Sequence, residues 1–296
     1  MSERSDPGSS QRIDLHSHST WSDGTTDVSE LFAQARAAGL DVLALTDHDT
    51  VAGWSELADA VSASGVAAVP GIEVSSEADS RSVHLLALLV DPSAETALAT
   101  EMARACASRE DRARHMVELI SADHPIRWED VQSQVAGEST VIGRPHIADA
   151  LVEAGVVPDR SAAFTEILRP AGPYYVPYYA PSPHSAVRAI GEAGGVSVLA
   201  HPGSVTRDDD LPLALLESLV EEGLDGIEVD HREHGAEETE RLREFARSHD
   251  LLITGGSDFH GTGKPNQLGE NLTAPEVLEA IAARATSGTR ILRPGG

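Results

Sequence analysis

Histidines and carboxylates recur at the ends of short apolar runs, and no other feature of the chain restricts its fold so tightly. The β-rich runs, at 13–15, 41–46, 66–74, 83–90, 196–200, 226–229 and 251–255, alternate with helical patterns over most of the length. Such alternation predicts an α/β fold with mostly parallel strands, and seven strands spread this widely predict a (β/α) barrel rather than a sandwich. One helical pattern covers 28–38, with Asp27 as its N-cap and Gly39 just past its end; another, 237–248, precedes the last strand. The alternation lapses between about 94 and 183. There a long helical pattern, 94–121, leads through R-W-E-D-V and G-R-P-H-I-A-D-A-L-V-E-A-G into P-Y-Y-V-P-Y-Y-A-P-S-P. A connection this long between two strands implies a small helical insertion that returns through a stiff, Pro-rich linker. The expected division is a polar tail over about 1–11, a first barrel part at 12–93, a helical cap at 94–183 and a second barrel part at 184–296.

Composition narrows the chemistry. Cys106 is the only cysteine, which excludes an internal disulfide and a thiolate zinc cluster, so any metal must be held by His and carboxylates. Against 22 Lys and Arg stand 48 Asp and Glu, a net charge of −26. That excess serves solubility, and some of it can neutralise bound divalent cations. It repels polyanions, so no duplex DNA partner is expected. No run approaches the ~18 to 20 apolar residues of a membrane span, and M-S-E-R-S-D-P-G-S-S lacks the apolar core of a signal peptide. The expectation is a cytoplasmic chain with no membrane partner.

The histidine positions carry the functional signal. The first run ends D-L-H-S-H-S-T-W-S-D-G, placing His16, His18 and Asp23 on and just beyond a strand. Residues i and i+2 of an extended chain point to the same side, so His16 and His18 can approach one ion together. The second run ends L-T-D-H-D-T, with His48 between Asp47 and Asp49; the third ends P-G-I-E-V, with Glu73. The fifth ends L-A-H-P-G, with His201, and the seventh G-G-S-D-F-H-G, with Asp258 and His260. His84 lies at the start of its run, but an antiparallel hairpin between 73–76 and 83–86 would return it to Glu73. Six His, two Asp and one Glu thus gather at one rim, where the ligand-binding residues of α/β barrels collect. Nine N and O donors are too many for one tetrahedral ion and suit a cluster of two or three.

These motifs resemble the PHP (polymerase and histidinol phosphatase) family of metal-dependent phosphoesterases. The family's H-x-H, S-D-G and T-D-H-D segments correspond to His16-Ser17-His18, Ser22-Asp23-Gly24 and Thr46-Asp47-His48-Asp49, and G-I-E, A-H-P and S-D-F-H also match. The resemblance runs from about residue 12 to the C-terminus. It implies a distorted seven-stranded (β/α) barrel holding three metals. Carried over by position, the first ion takes His16, His18, Glu73 and Asp258. Glu73 bridges to a second ion with His84 and His201, and the third takes Asp23, His48 and His260. Many family members have His where Asp23 stands. Together with the insert containing G-R-P-H-I-A, Asp23 is similar to the branch of 3′,5′-nucleoside bisphosphate phosphatases and 5′-3′ exoribonucleases.

Adjacent divalent ions activate a water and stabilise charge on phosphate oxygens, chemistry that hydrolyses a phosphate ester. The expected cofactors are two to three ions of Mn, Zn, Fe or Mg. His231, in E-V-D-H-R-E-H, is the candidate acid or phosphate donor, read as catalytic with Asp258, and His234 is a weaker candidate. Arg144 and His146 are candidate phosphate-binding groups, with a carboxylate anchor as the alternative use of the Arg. Asp47 and Asp49 fit supporting or helix-capping roles better than ligation. Tyr174, Tyr175, Tyr178 and Tyr179 fit linker packing better than stacking on a base. The leading function is removal of the 3′-phosphate of a nucleoside 3′,5′-bisphosphate. The alternative is a 5′-3′ exoribonuclease on short 5′-phosphorylated RNA. A histidinol-phosphate phosphatase and a non-catalytic metal-binding regulator rank below both.

Overall fold

The computed structural model describes residues 11–79, 81–135, 141–169, 172–203 and 211–295; the expected polar tail lies outside these apart from residue 11, as do 136–140 and 170–171 of the expected insertion. One sheet runs β1 (Ile13–Asp14), β2 (Val42–Leu45), β3 (Ala67–Ala78), β4 (Arg81–Leu88), β5 (Val196–Leu199), β6 (Gly226–Asp230) and β7 (Leu252–Gly255), paired in sequence order. Neighbours are parallel except that β4 runs antiparallel to both β3 and β5. Beyond β1, Ser17 bridges Phe259, and His18 N donates to Phe259 O at 2.9 Å, so the sheet nearly closes into a barrel. Around it lie α1 (Val28–Ala37), α2 (Leu57–Ser64), α3 (Ala97–Ile120), α4 (Trp128–Gln132), α5 (Arg144–Glu153), α6 (Arg160–Glu166), α7 (Pro183–Glu192), α8 (Leu213–Glu222), α9 (Ala236–Ser248) and α10 (Pro275–Arg284).

Period-two alternation divides each strand between two apolar clusters. Val42 and Ala44 join Ile13, Leu15, Val69, Leu86, Leu88, Val196 and Val198 inside the barrel, whereas Leu43 and Leu45 pack outward on Leu31 and Phe32 of α1 and Leu57 of α2. Leu85 and Ala87 of β4 face outward in turn, against Ala186 and Ile190 of α7. Burial on both faces is why the strands read as continuous apolar runs. β3 outruns the expected 66–74 because its pairing with β4 continues to Ala78 opposite Arg81.

α3, α4, α5 and α6 follow one another between β4 and β5, and Met116, Ile120, Ile147, Leu151 and Leu168 form a cluster of their own there. α3 belongs to both cores. Thr96 caps it by accepting from Ala99 N at 3.0 Å; Leu98 and Met102 pack with the barrel, while Ala113, Met116 and Val117 pack with the inserted helices. A single 24-residue helix, about 36 Å long, is therefore the stiff element carrying the insertion. Among the described residues no helix is long and apolar enough to cross a membrane.

Leu86 is fully buried in the barrel interior, directly opposite Glu73 in the hairpin that carries part of the functional rim. Leu86→Ala is expected to cost ~2 to 5 kcal/mol, read as a shift in urea midpoint at unchanged slope.

Candidate metal centre

The rim is built from the strand ends. His16 and His18 follow β1, Asp47, His48 and Asp49 follow β2, Glu73 and His84 sit on the β3–β4 hairpin, His201 follows β5, and Asp258 and His260 follow β7. The antiparallel pairing sets Ser75 opposite His84, and His84 Nδ1 lies 2.6 Å from Glu73 Oε1. Glu73 is the hub. Its Oε2 is 3.2 Å from His16 Nε2, 3.0 Å from His18 Nε2 and 3.4 Å from His48 Nε2, and its Oε1 is 3.0 Å from His201 Nε2. His260 Nε2 approaches Asp23 Oδ1 at 3.2 Å, and Asp258 Oδ1 lies 3.4 Å from His16 Nε2 and 3.3 Å from His18 Nε2.

All nine expected ligands thus converge. Their donor atoms form three groups, each within 4.8 Å: His18, Asp23, His48 and His260; His16, Glu73, His201 and Asp258; and His48, Glu73 and His84. His18 stands between two of these groups, close to Glu73 and Asp258 as well as to Asp23. Among the described residues, Nε2 of His16, His18 and His260 and Oδ1 of Asp23 and Asp258 are buried yet make no hydrogen bond. Lone pairs that converge, desolvated and unpaired, fit divalent cations.

Electrostatics agree. Burial opposes the charged form of Asp23, Glu73 and Asp258, but the surrounding histidines, with Lys264 for Asp258, hold all three well below the usual carboxylate range. Burial likewise opposes charge on His16, yet Glu228, Glu73 and Asp258 outweigh it and raise its pKa well above the ordinary value. The same contest, won by Asp258 and Glu73, lifts His18 to about 9. Burial keeps His48 neutral down to about 3 and lowers His260 also. The rim's carboxylates demand positive charge, which protons on His16 and His18 supply when no metal does.

Supporting groups fix these rings. Glu228, wholly buried, accepts from His16 Nδ1 at 3.1 Å and from His201 N at 2.9 Å, which turns His16 Nε2 toward Glu73. His260 Nδ1 donates to Asp258 O at 2.8 Å, leaving Nε2 toward Asp23. Asp47 accepts from Ser19 N and Oγ and from Ser22 Oγ, bracing the loop between His18 and Asp23, and Asp49 accepts from Ser75 N. A Cβ at Gly256 would collide with the His16 side chain and with Glu228 Oε1, so only glycine lets the chain leaving β7 pass this close. Asp49, His201 and Asp258 have φ of 52°, 31° and 51°, left-handed backbone that non-glycine residues adopt at a cost and that clusters at functional sites.

His231 is buried between His201 and His234, with Nε2 3.9 Å from Asp258 Oδ2. His234 turns away, Nδ1 to Val229 O and Nε2 accepting from Gly203 N. His146 stands beside Asp23, but Gly143 N donates to its Nδ1 and it also bonds the Ser22 backbone, so it docks α5 on the rim. Arg144 turns toward α6, donating to Leu168 O at 3.4 Å with its guanidinium over Phe164. The anchoring arginine is Arg160, paired with Asp149 and donating to Asp23 O at 3.3 Å. Tyr174 binds Asp123 and Tyr179 binds Glu101, while Tyr178 lies under Arg112, so these three rings tie the linker to α3 and to the turn that follows it.

Sequence reasoning missed Glu228, Lys264, Arg109 and Arg112. Lys264 Nζ lies 2.6 Å from Asp258 Oδ2 at the mouth of the rim. Glu228 had a readable signal, an acid inside the otherwise apolar run G-I-E-V.

Glu228→Gln removes the carboxylate that orients His16, and apparent Mn²⁺ affinity is expected to fall about ten- to hundredfold with the fold intact by circular dichroism; unchanged affinity would show that His16 needs no such brace. Ligands bind metal unprotonated, and His18 without metal keeps its proton up to about 9. Mn²⁺ binding to chelator-treated protein at pH 7.5 should therefore release protons, seen by calorimetry in buffers of differing ionisation enthalpy. Heat independent of buffer would contradict this.

A family model described as PHP domain matches residues 14–154. The chain is 35% identical, over 95% of its length and 98% of the relative's, to a 3′,5′-nucleoside bisphosphate phosphatase of Chromobacterium violaceum. It is 31% identical to the 5′-3′ exoribonuclease Rnm of Salmonella typhimurium, over 90% of this chain and 92% of that one. It is 36% identical to a phosphoribosyl 1,2-cyclic phosphate 1,2-diphosphodiesterase of Eggerthella lenta, over 84% of this chain and 94% of the relative. A solved structure of a candidate metal-dependent phosphoesterase from Bifidobacterium adolescentis superposes with a TM-score of 0.90 at 44% identity, covering 93% of this chain and 97% of that one. Relatives matched along nearly their whole length share the chemistry that the rim's donors are suited to, and the chain belongs to the PHP-domain family as a metal-dependent phosphoesterase.

Proposed function

We propose that the protein removes the 3′-phosphate of nucleoside 3′,5′-bisphosphates, giving AMP from adenosine 3′,5′-bisphosphate. The observation that carries this reading is the convergence of nine His, Asp and Glu donors on one rim, directly beside inserted helices that bring arginines to it. The full-length likeness to a phosphatase named for that substrate supports it. In this reading His16, His18, Asp23, His48, Glu73, His84, His201, Asp258 and His260 hold two to three divalent ions of Mn, Zn, Fe or Mg, with Glu73 shared. When bound, such ions acidify a water and neutralise charge on the attacking and leaving oxygens.

The chain's own groups supply the rest. His231 Nδ1 accepts from Glu233 N at 3.2 Å, so the neutral ring carries its proton on Nε2, the nitrogen that faces the rim without a hydrogen bond. Burial favours that neutral form. His231 thus donates a hydrogen bond from its Nε2–H to the departing 3′-oxygen, or to a phosphate oxygen. Lys264, partly exposed beside Asp258, offers a cation to the same phosphate. The inserted helices, read as a cap over 94–183, stand on the substrate side of the rim, with Arg144 and His146 at the start of α5 engaged in holding the cap together and on the rim, and the reaction takes place in the cytoplasm.

The exoribonuclease remains the second reading, favoured by an open groove of about 940 Å³ between the insertion and the rim, lined in part by Thr25, Arg160 and Lys264, which has room for a short strand. An additional charge-assisted phosphate contact contributes ~1.5 to 3 kcal/mol, roughly a ten- to hundredfold effect. Adenosine 3′,5′-bisphosphate should therefore exceed adenosine 3′-phosphate and an aryl phosphate by about that factor in kcat/KM, assayed by phosphate release with Mn²⁺, Mg²⁺ and Zn²⁺. Equal values would remove the bisphosphate reading, and faster turnover of a short 5′-phosphorylated RNA would favour the exonuclease.

A further inference from the structure

Of the group His18, Asp23, His48 and His260, three members follow strand ends directly: His18 after β1, His48 after β2 and His260 after β7. Asp23 stands further out, on the loop that leads from β1 to α1. Its carboxylate meets His260 Nε2 at 3.2 Å, and among the described residues its Oδ1 is buried without a hydrogen bond. The backbone must therefore place it. Thr25 N donates to His260 O at 3.1 Å and Thr262 N to Thr25 Oγ1 at 2.8 Å, which laces the Asp23 loop to the loop after β7. Arg160, the first residue of α6, reaches both loops from the insertion. Its Nε and Nη2 donate to Asp149 Oδ1 and Oδ2, each at 2.5 Å, and its Nη1 donates to Asp23 O at 3.3 Å. The same Nη1 lies so close to Gly263 that a Cβ there would collide with it. Burial opposes charge on Arg160, but Asp149 and then Asp23 keep its pKa above the ordinary value.

Two parallel bonds to one carboxylate fix the plane of a guanidinium, so its remaining nitrogen has one direction to point. Here that direction is the space between the loops that carry Asp23 and His260. We infer that Arg160, held by Asp149, positions Asp23 against His260, so that the inserted helices set the affinity of the ion nearest Asp23 and leave the rest of the cluster alone. This rests on the ligand assignment proposed above. The selectivity follows from how the other donors are braced: Glu73 and His84 share the hairpin ladder, and Glu228 holds His16 Nδ1 and the backbone of His201. Those braces lie within the barrel. Asp23 is the donor whose placing is shared with another part of the chain, and a partner that orients a ligand without touching the ion changes affinity about ten- to hundredfold.

The test follows Mn²⁺ as a graded chelator strips it from loaded protein, which reads each ion without any substrate. Asp23→Ala identifies the ion that Asp23 holds. Arg160→Met, which keeps an unbranched stem without the fork, should weaken that same ion about ten- to hundredfold and leave the others at wild-type affinity. Gly263→Ala pushes on Nη1 from the barrel side with the insertion's own residues intact, and should weaken the same ion. Added to Arg160→Met it should cost little more, because the contact is already gone. Equal weakening of every ion in Arg160→Met, with additive losses in the double variant, would make Arg160 a general strut and overturn the inference. Wild-type affinity at every ion in Arg160→Met would overturn it too, while the ligand assignment stands on Asp23→Ala. If Arg160→Met does not fold, Gly263→Ala and Asp149→Asn decide between the same outcomes. If Asp23→Ala changes no ion, the ligand assignment itself fails and the inference with it.

Discussion

Glu73, Glu228, Asp23 and Asp258 bring four carboxylates into a space almost closed to water, and mutual repulsion would scatter them unless cations stood between. The barrel mouth is organised around that conflict. Histidines from five strand ends interleave the acids, Lys264 closes one side, and backbone amides and serines hold Asp47 and Asp49 where they stiffen the loops. The apolar interior beneath, from Ile13 to Leu252, excludes solvent from below and keeps the effective dielectric low, which strengthens both the repulsion and any cation's attraction.

Much of this was legible because strand ends are local. His16 and His18 two apart, or Asp258 and His260 two apart, share a side by extended geometry alone. The hairpin that returns His84 to Glu73 needed only an antiparallel turn after the third strand, and the register supplies it. Glu228 stands out as an acid in an apolar run, but its role was hidden because one acid in a strand does not reveal which ring it touches 212 residues away. Arg109 and Arg112 read as ordinary polar positions of a helix; their meaning depends on how α3 lies across β2 and β3, which pattern and spacing do not encode. Arg144 and His146, prominent in their motif, make hydrogen bonds that spacing does not foretell, Arg144 to Leu168 O and His146 within its own turn to Gly143 N.

The antiparallel β4 has its own effect on the site. In an all-parallel barrel each strand presents one C-terminal end to the rim, whereas here β3 and β4 present an end and a beginning. Two donors therefore sit on one hairpin, joined by few residues and by a shared ladder of hydrogen bonds. That ladder leaves little freedom for Glu73 and His84 to drift apart.

The insertion is moored to the rim through Arg109 on Asp49, His146 on Ser22 and Arg160 on Asp23, each a residue that is, or adjoins, a proposed metal ligand. Docking of the helices and order among the donors are thus linked equilibria, and linkage is reciprocal. Ions that gathered the loops would also favour the docked arrangement, and any ligand held by the inserted helices would raise the residence of ions below. Affinity at one level is written into conformation at the other, without any hinge having to move.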